Sequence, residues 1–150
     1  MSDSLLDWLR LHLTPGIGPR TMELLLERFG TPSEVLNASG AALLDVESVG
    51  PKLSAEITRS RTSTAAEEEI ATAEKLGVSL LLRDSPGYPT GLREICDAPP
   101  VLSVAGTYQP CDELAVAIVG SRQCTLYGRQ QAEKLAGALA RAGITIISGL

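Results

Sequence analysis

Aromatic residues are scarce in this chain: Trp8, Phe29, Tyr88, Tyr108 and Tyr127 are the only ones among 150 residues. A hydrophobic core therefore has to be assembled from Leu, Ile, Val and Ala. No apolar run approaches the ~18–20 residues that a membrane-spanning helix needs. Asp3 and Asp7 precede the first arginine, so the N-terminus lacks the basic start of a secretory signal. The three cysteines, Cys96, Cys111 and Cys124, show neither CxxC spacing nor an even number, which points to a reduced cytosol rather than secretion. A basic excess is also missing. Net charge is −5, with 12 acids and 7 bases in residues 1–75 and 6 of each in residues 76–150. The chain therefore lacks the basic excess of a protein that coats a duplex by charge, and any nucleic-acid binding must come from a local site or from residues outside these 150.

What is present is dense punctuation, and it predicts a helical unit over residues 1–61. Ser4 with Asp7 reads as a capping box ahead of Leu5, Trp8, Leu9 and Leu13. Pro19 suits a first helical position, Met22, Leu25, Leu26 and Phe29 supply an apolar stripe, and Gly30 is placed as a cap. Thr31-Pro32-Ser33-Glu34 is a further helix start. Between the first two helices lies Gly16-Ile17-Gly18-Pro19-Arg20, and Ser48-Val49-Gly50-Pro51-Lys52 echoes it 32 residues later. Glycine, isoleucine, glycine between helices suits a tight hairpin: the isoleucine plugs the helix pair, and N–H groups beside a helix N-terminus can receive a phosphate. Such a hairpin resembles the helix-hairpin-helix, which binds the DNA backbone; a plain helical hairpin with a packed loop is the alternative. The second copy favours that alternative, because Ser48 replaces the leading glycine and Glu47 stands where a phosphate would lie.

Residues 59–65, small and polar, read as a linker to a second domain over residues 62–150. Thr64 with Glu67 predicts another capping box, and Glu67-Glu68-Glu69 a solvated helix start. Val78–Leu82 and Val101–Gly106 read as strands, separated by the turn Pro86-Gly87-Tyr88-Pro89, a helical turn at Leu92–Ile95 and the extended Asp97-Ala98-Pro99-Pro100. Then Val116-Ala117-Ile118-Val119 predicts a strand buried on both faces of a parallel sheet. It runs into Gly120-Ser121-Arg122 and a helix with Ala132, Leu135, Ala136 and Leu139 on one face. Gly143 caps that helix before the strand Ile144–Ile147 and the turn Ser148-Gly149-Leu150. The fold class is thus α/β: a helical domain followed by the start of a Rossmann-like parallel sheet. The second domain reads as begun and unfinished, a fragment of a longer protein.

Strand, glycine turn, helix is where such sheets place anions, and three uses compete. Dinucleotide binding through GxGxxG needs glycines where the chain has Arg122 and Thr125, so NAD is set aside, though a related nucleotide or phosphosugar enzyme is not. Nucleic-acid phosphate binding would use the Gly120 and Ser121 N–H groups, the Ser121 hydroxyl and the Arg122 fork, with Ser148-Gly149 at the same sheet edge. The third use is a tight turn whose arginine pairs with a carboxylate. An enzyme would also need a base or nucleophile. His12 reads as a surface or core residue, Cys124 lacks a partner base, and Asp84, Asp97 and Asp112 form no carboxylate pair or metal-ligand spacing. A helical protein-interaction module is a further class.

The run from Val116 to Arg122, with Tyr127-Gly128 and Ile146-Ile147-Ser148-Gly149-Leu150, closely resembles the DprA/Smf family (DNA-processing protein A). Tyr88-Pro89, Leu92, Asp97–Leu102 and Gly106 resemble the family's entry segment, so the resemblance covers essentially the whole chain. It implies a SAM-like or helix-hairpin-helix domain before a Rossmann-like domain. It also implies a bacterial cytoplasmic protein that binds single-stranded DNA and helps load the RecA recombinase, notably in natural transformation. No catalysed reaction, cofactor or metal is implied, and a homodimer through the complete Rossmann-like domain is. The DNA-contacting arginine of the family carries over to Arg122, with Gly120, Ser121, Ser148 and Gly149 in the same phosphate pocket. Gly16, Ile17 and Gly18 form a secondary candidate. The family's further lysine and glycine contacts lie beyond Leu150.

Overall fold

In the computed structural model, residues 5–149 are described; Ser4 of the expected capping box and Leu150 lie outside them. The chain packs as two units, residues 1–106 and 107–150. The first contains helices α1 (Leu5–His12), α2 (Pro19–Phe29), α3 (Pro32–Asn37), α4 (Gly40–Leu44), α5 (Pro51–Ser60), α6 (Ala65–Leu76) and α7 (Thr90–Arg93), with strands β1 (Val78–Leu82) and β2 (Val101–Ala105). Its helix boundaries follow local chemistry. Pro19, Pro32 and Pro51 each occupy a first helical turn, and Gly30, at φ 91°, returns its N–H to the Leu26 carbonyl. The Thr31 hydroxyl accepts from the Glu34 N–H at 3.2 Å, and Ser39 caps α4 in the same way.

Two hydrophobic clusters fill this unit. The larger joins Leu11, Met22, Leu25, Val35, Leu36, Leu43, Val46, Val49 and Ile57, and the smaller joins Leu9, Ala66 and Val101. Trp8 packs against both. Helix α1 is therefore wedged between two cores and buries two faces, not one stripe. For that reason Leu11, outside the expected stripe, is fully buried, while Leu13 lies past the end of the helix and is 39% exposed.

The expected linker at 59–65 is instead a short tied turn. Helix α5 runs to Ser60, which is buried, and the Arg61 guanidinium donates to the Ala38 carbonyl. Helix α6 then packs on α1 and β1, so the packing boundary falls after Gly106 and not near residue 61. Thr64 makes no side-chain cap; its hydroxyl donates to the Glu68 carboxylate at 2.7 Å, and Glu67 pairs with Arg10 at 2.6 Å. The Glu67 carboxyl is held below its ordinary value of 4.5 by its own backbone N–H first and by Arg10 second. A lowered folded-state value stabilises the protein above the unfolded pKa and loses that contribution as pH falls through the folded one. Urea melts of the native protein and Glu67→Gln should therefore differ near neutral pH and converge as pH falls through the lowered folded-state pKa.

Strands β1 and β2 are antiparallel, with Val78 opposite Ala105 and Leu82 opposite Val101. They form their own two-stranded sheet, so the parallel order expected for the whole C-terminal half holds only for the second unit. There a 3-10 turn (Pro110–Glu113) leads to β3 (Ala115–Ala117), α8 (Leu126–Arg141) and β4 (Thr145–Ile147). The two strands pair in parallel, with Ala115 opposite Thr145 and Ala117 opposite Ile147. Parallel strands joined through a helix make a βαβ unit, the element from which Rossmann-like sheets are built. Asp112 braces its start, accepting from the Gln109 N–H at 2.8 Å and the Thr145 hydroxyl at 3.0 Å. Burial on both faces is not found for the first strand: Val116 is 39% exposed and Val119, past the strand's end, 85%. One neighbouring strand and one helix leave most of a sheet's surface uncovered.

Candidate functional site

Parallel pairing brings the two predicted turns out of the sheet at the same edge. The Ile118 N–H donates to the Ile147 carbonyl at 2.9 Å, extending the pairing by one step beyond Ala117. Gly120-Ser121-Arg122 and Ser148-Gly149 therefore follow the C-terminal ends of adjacent strands, where open α/β sheets bind ligands. All five residues are exposed. Arg122 has no ion pair or hydrogen bond among the described residues, so the carboxylate partner of the tight-turn alternative is not found there. The Ser121 Oγ is engaged locally, accepting from the Gln123 N–H at 3.2 Å. Nothing lies within 4 Å of a Cβ built at Gly120 or Gly149, so the backbone at both turns is open to close approach. Helix α8 starts later than a phosphate loop of the dinucleotide type would have it. Its N-terminal cap is Thr125, whose hydroxyl accepts from the Gly128 N–H at 3.1 Å.

The two hairpins of the first unit share one backbone. In the first, the Thr14 N–H donates to Leu11, Ile17 to Thr14 and Met22 to Gly18. In the second, Val46 donates to Leu43, Val49 to Val46 and Ser54 to Gly50, each bond displaced by 32 residues. Gly18 and Gly50 cap the following helices with nearly the same dihedrals, −97°, 177° and −90°, 175°. The equivalence extends to Leu25 and Ile57, both fully buried. This duplication is stronger than the five-residue echo suggested, and the apolar positions 32 apart were its unread signal. Ile17 packs against the larger core, as its plug role requires. The N–H groups of Gly16 and Gly18 have no acceptor among the described residues. The copies differ in charge, since Asp45 and Glu47 stand where the first has Leu13 and Pro15.

They also differ in strain. Gly16 has φ 94°, and its counterpart Ser48 is held at φ 71°, the lone positive φ at a non-glycine among the described residues. A side chain there costs about 1–2 kcal/mol, and glycine returns about 0.5–1 kcal/mol of that through unfolded-state entropy. Relief of strain wins, so Ser48→Gly should raise stability by about 0.5–1 kcal/mol in urea titration. Gly16→Ala should lower it by about 1–2 kcal/mol, with its new methyl 3.4 Å from the Leu53 Cδ1.

The other candidates are not brought together. His12 ends α1 and is exposed, and Cys124 is an exposed free thiol. Among the described residues no group of three His, Cys, Asp or Glu side chains could hold a metal ion, and no helix is long and apolar enough to cross a membrane.

Comparison with known proteins bears on both units. Residues 2–74 match the DprA-like N-terminal HHH domain, and residues 79–150 match DNA recombination-mediator protein A. Protein Smf of Synechocystis sp. is 31% identical over 147 residues, which is 95% of this chain and 37% of the relative. The DNA ligase of Chlamydia trachomatis serovar L2 is 34% identical over 71 residues, 47% of this chain and 11% of the ligase. The chain thus spans little more than a third of the length of Smf. With helical hairpins in the first unit, a βαβ unit in the second and a family match over each half, the chain belongs to the DNA recombination-mediator protein A (DprA/Smf) family.

Proposed function

We propose that the protein binds single-stranded DNA with little sequence preference, by gripping phosphates between two adjacent turns of its C-terminal unit. The observation that supports this most is Arg122, an exposed and unpaired guanidinium on a turn beside Ser148-Gly149. A planar fork with two bare backbone turns suits phosphate oxygens and reads no base. The chain's net charge of −5 fits a local grip better than a charged coat. Family membership supports the remaining parts of the reading: a cytoplasmic protein without a catalysed reaction, which helps load RecA onto incoming DNA in natural transformation and acts as a homodimer.

Fluorescence anisotropy of labelled oligo-dT, titrated with the full-length protein across a salt series, tests the site. Arg122→Ala should weaken binding and reduce the salt slope by about 0.7, the value of one single-strand phosphate contact. Unchanged affinity in a folded variant would sink the assignment. The open N–H groups of Gly16 and Gly18 favour a second reading, in which the first hairpin holds a duplex backbone. Duplex binding equal to or tighter than oligo-dT binding, abolished by Gly16→Ala and indifferent to Arg122→Ala, would move the function there.

A further inference from the structure

The first unit carries a cleft of about 730 Å³ that neither phosphate site uses. One wall is α2, which contributes Pro19, Met22, Glu23, Leu26 and Glu27; the other is the end of β1 at Leu82 and the segment that follows to Pro86, with Cys96, Ala98 and Pro100. Trp8 also lines it. The volume is within the range of built binding sites, about 300–1,000 Å³. Its lining is mostly apolar, and the charged members of that lining are predominantly acidic: Glu23, Glu27 and Asp84 against Arg83. Glu23 and Glu27 stand one turn apart on α2, both exposed. Glu23 is bridged to Arg20 at 2.8 Å, whereas Glu27 and Asp84 have no ion pair among the described residues. An apolar trough edged by unneutralised carboxylates repels a phosphate backbone and attracts a cation.

We propose that this cleft is a protein-docking site, and that its occupant is a short segment of a partner protein bearing apolar anchors beside a lysine or arginine. The anchors fill the space between Leu26, Leu82 and Pro100, and the cation answers Glu27 and Asp84. Peptide grooves of this kind take their affinity from a few buried apolar side chains and their selectivity from rim charge. The lining of the cleft shares no residue with Gly120-Ser121-Arg122 or Ser148-Gly149. Nothing in the inference depends on Arg122.

The test uses the full chain and a random-peptide library displayed on phage, followed by titration of the enriched peptides. Trp8 is the single tryptophan and lines the cleft, so its emission reports occupancy. Enriched peptides should combine apolar residues with Lys or Arg and shift the Trp8 emission. They should bind about tenfold more weakly to Glu27→Lys, an exposed change that circular dichroism would find folded. Enrichment without a basic bias, binding unmoved by Glu27→Lys, or no enrichment at all would overturn the proposal. So would a Trp8 response to oligo-dT that Glu27→Lys strengthens, which would give the cleft to nucleic acid. Self-association of the chain blocked by Glu27→Lys would give it to a second copy and equally overturn the proposal.

Discussion

Expressed separately, residues 1–106 should unfold in one cooperative transition in urea, and residues 107–150 should show none. Every buried hydrophobic side chain among the described residues lies between Leu9 and Val101. The second unit has none: its strands are three residues each, and Leu114, Val119, Leu126, Tyr127, Leu135 and Ile147 are all more than half exposed. A fold is held by apolar area removed from water, at about 25 cal/mol per Å², against about 1–2 kcal/mol of backbone entropy per ordered residue. Two short strands and one helix cannot meet that cost alone. Circular dichroism and urea titration of the two fragments check this, and a sharp transition in residues 107–150 would contradict it.

The second large effect belongs to the core of the first unit. Leu25 is fully buried on α2 within the larger cluster. Truncation to alanine removes its transfer free energy and leaves a cavity that flanking helices only partly close, so Leu25→Ala should cost about 3 kcal/mol. Ile57, its counterpart 32 residues on, is buried to the same degree, and Ile57→Val should cost only about 1 kcal/mol. Denaturant midpoints with unchanged slopes would measure both. A Leu25→Ala cost below about 1 kcal/mol would show that the helices collapse onto the gap.

What the sequence disclosed was local. Thr31, Gly30 and the three prolines act on neighbours within one turn, and the helix ends fall where these residues place them. What it concealed depended on distant partners. Leu11 is buried because a second core lies on the far side of α1, which no helical period in residues 5–13 reveals. The strand Val78–Leu82 reads the same whether its neighbour is parallel or antiparallel, and its pairing with Val101–Ala105 is decided by the chain between them. Arg61 looked like linker because its side chain's acceptor, the Ala38 carbonyl, lies 23 residues away. At the turns the legible part was position: Gly120, Ser121, Arg122 and Ser148-Gly149 share an edge because β3 and β4 pair in parallel. The acidic cleft was not legible at all, since its two walls are about 60 residues apart in the chain.

The displaced pair of hairpins has a use as an internal reference. Two loops of the same backbone, one glycine-led and the other flanked by Asp45 and Glu47, carry the same cradle without and with adjacent acids. Exchanging only the side chains at positions 13 and 15 with those at 45 and 47 would leave the strained positions 16 and 48, the number of hairpins and the net composition untouched. Any change in nucleic-acid affinity would then reflect where the two acids and the proline stand rather than how many there are.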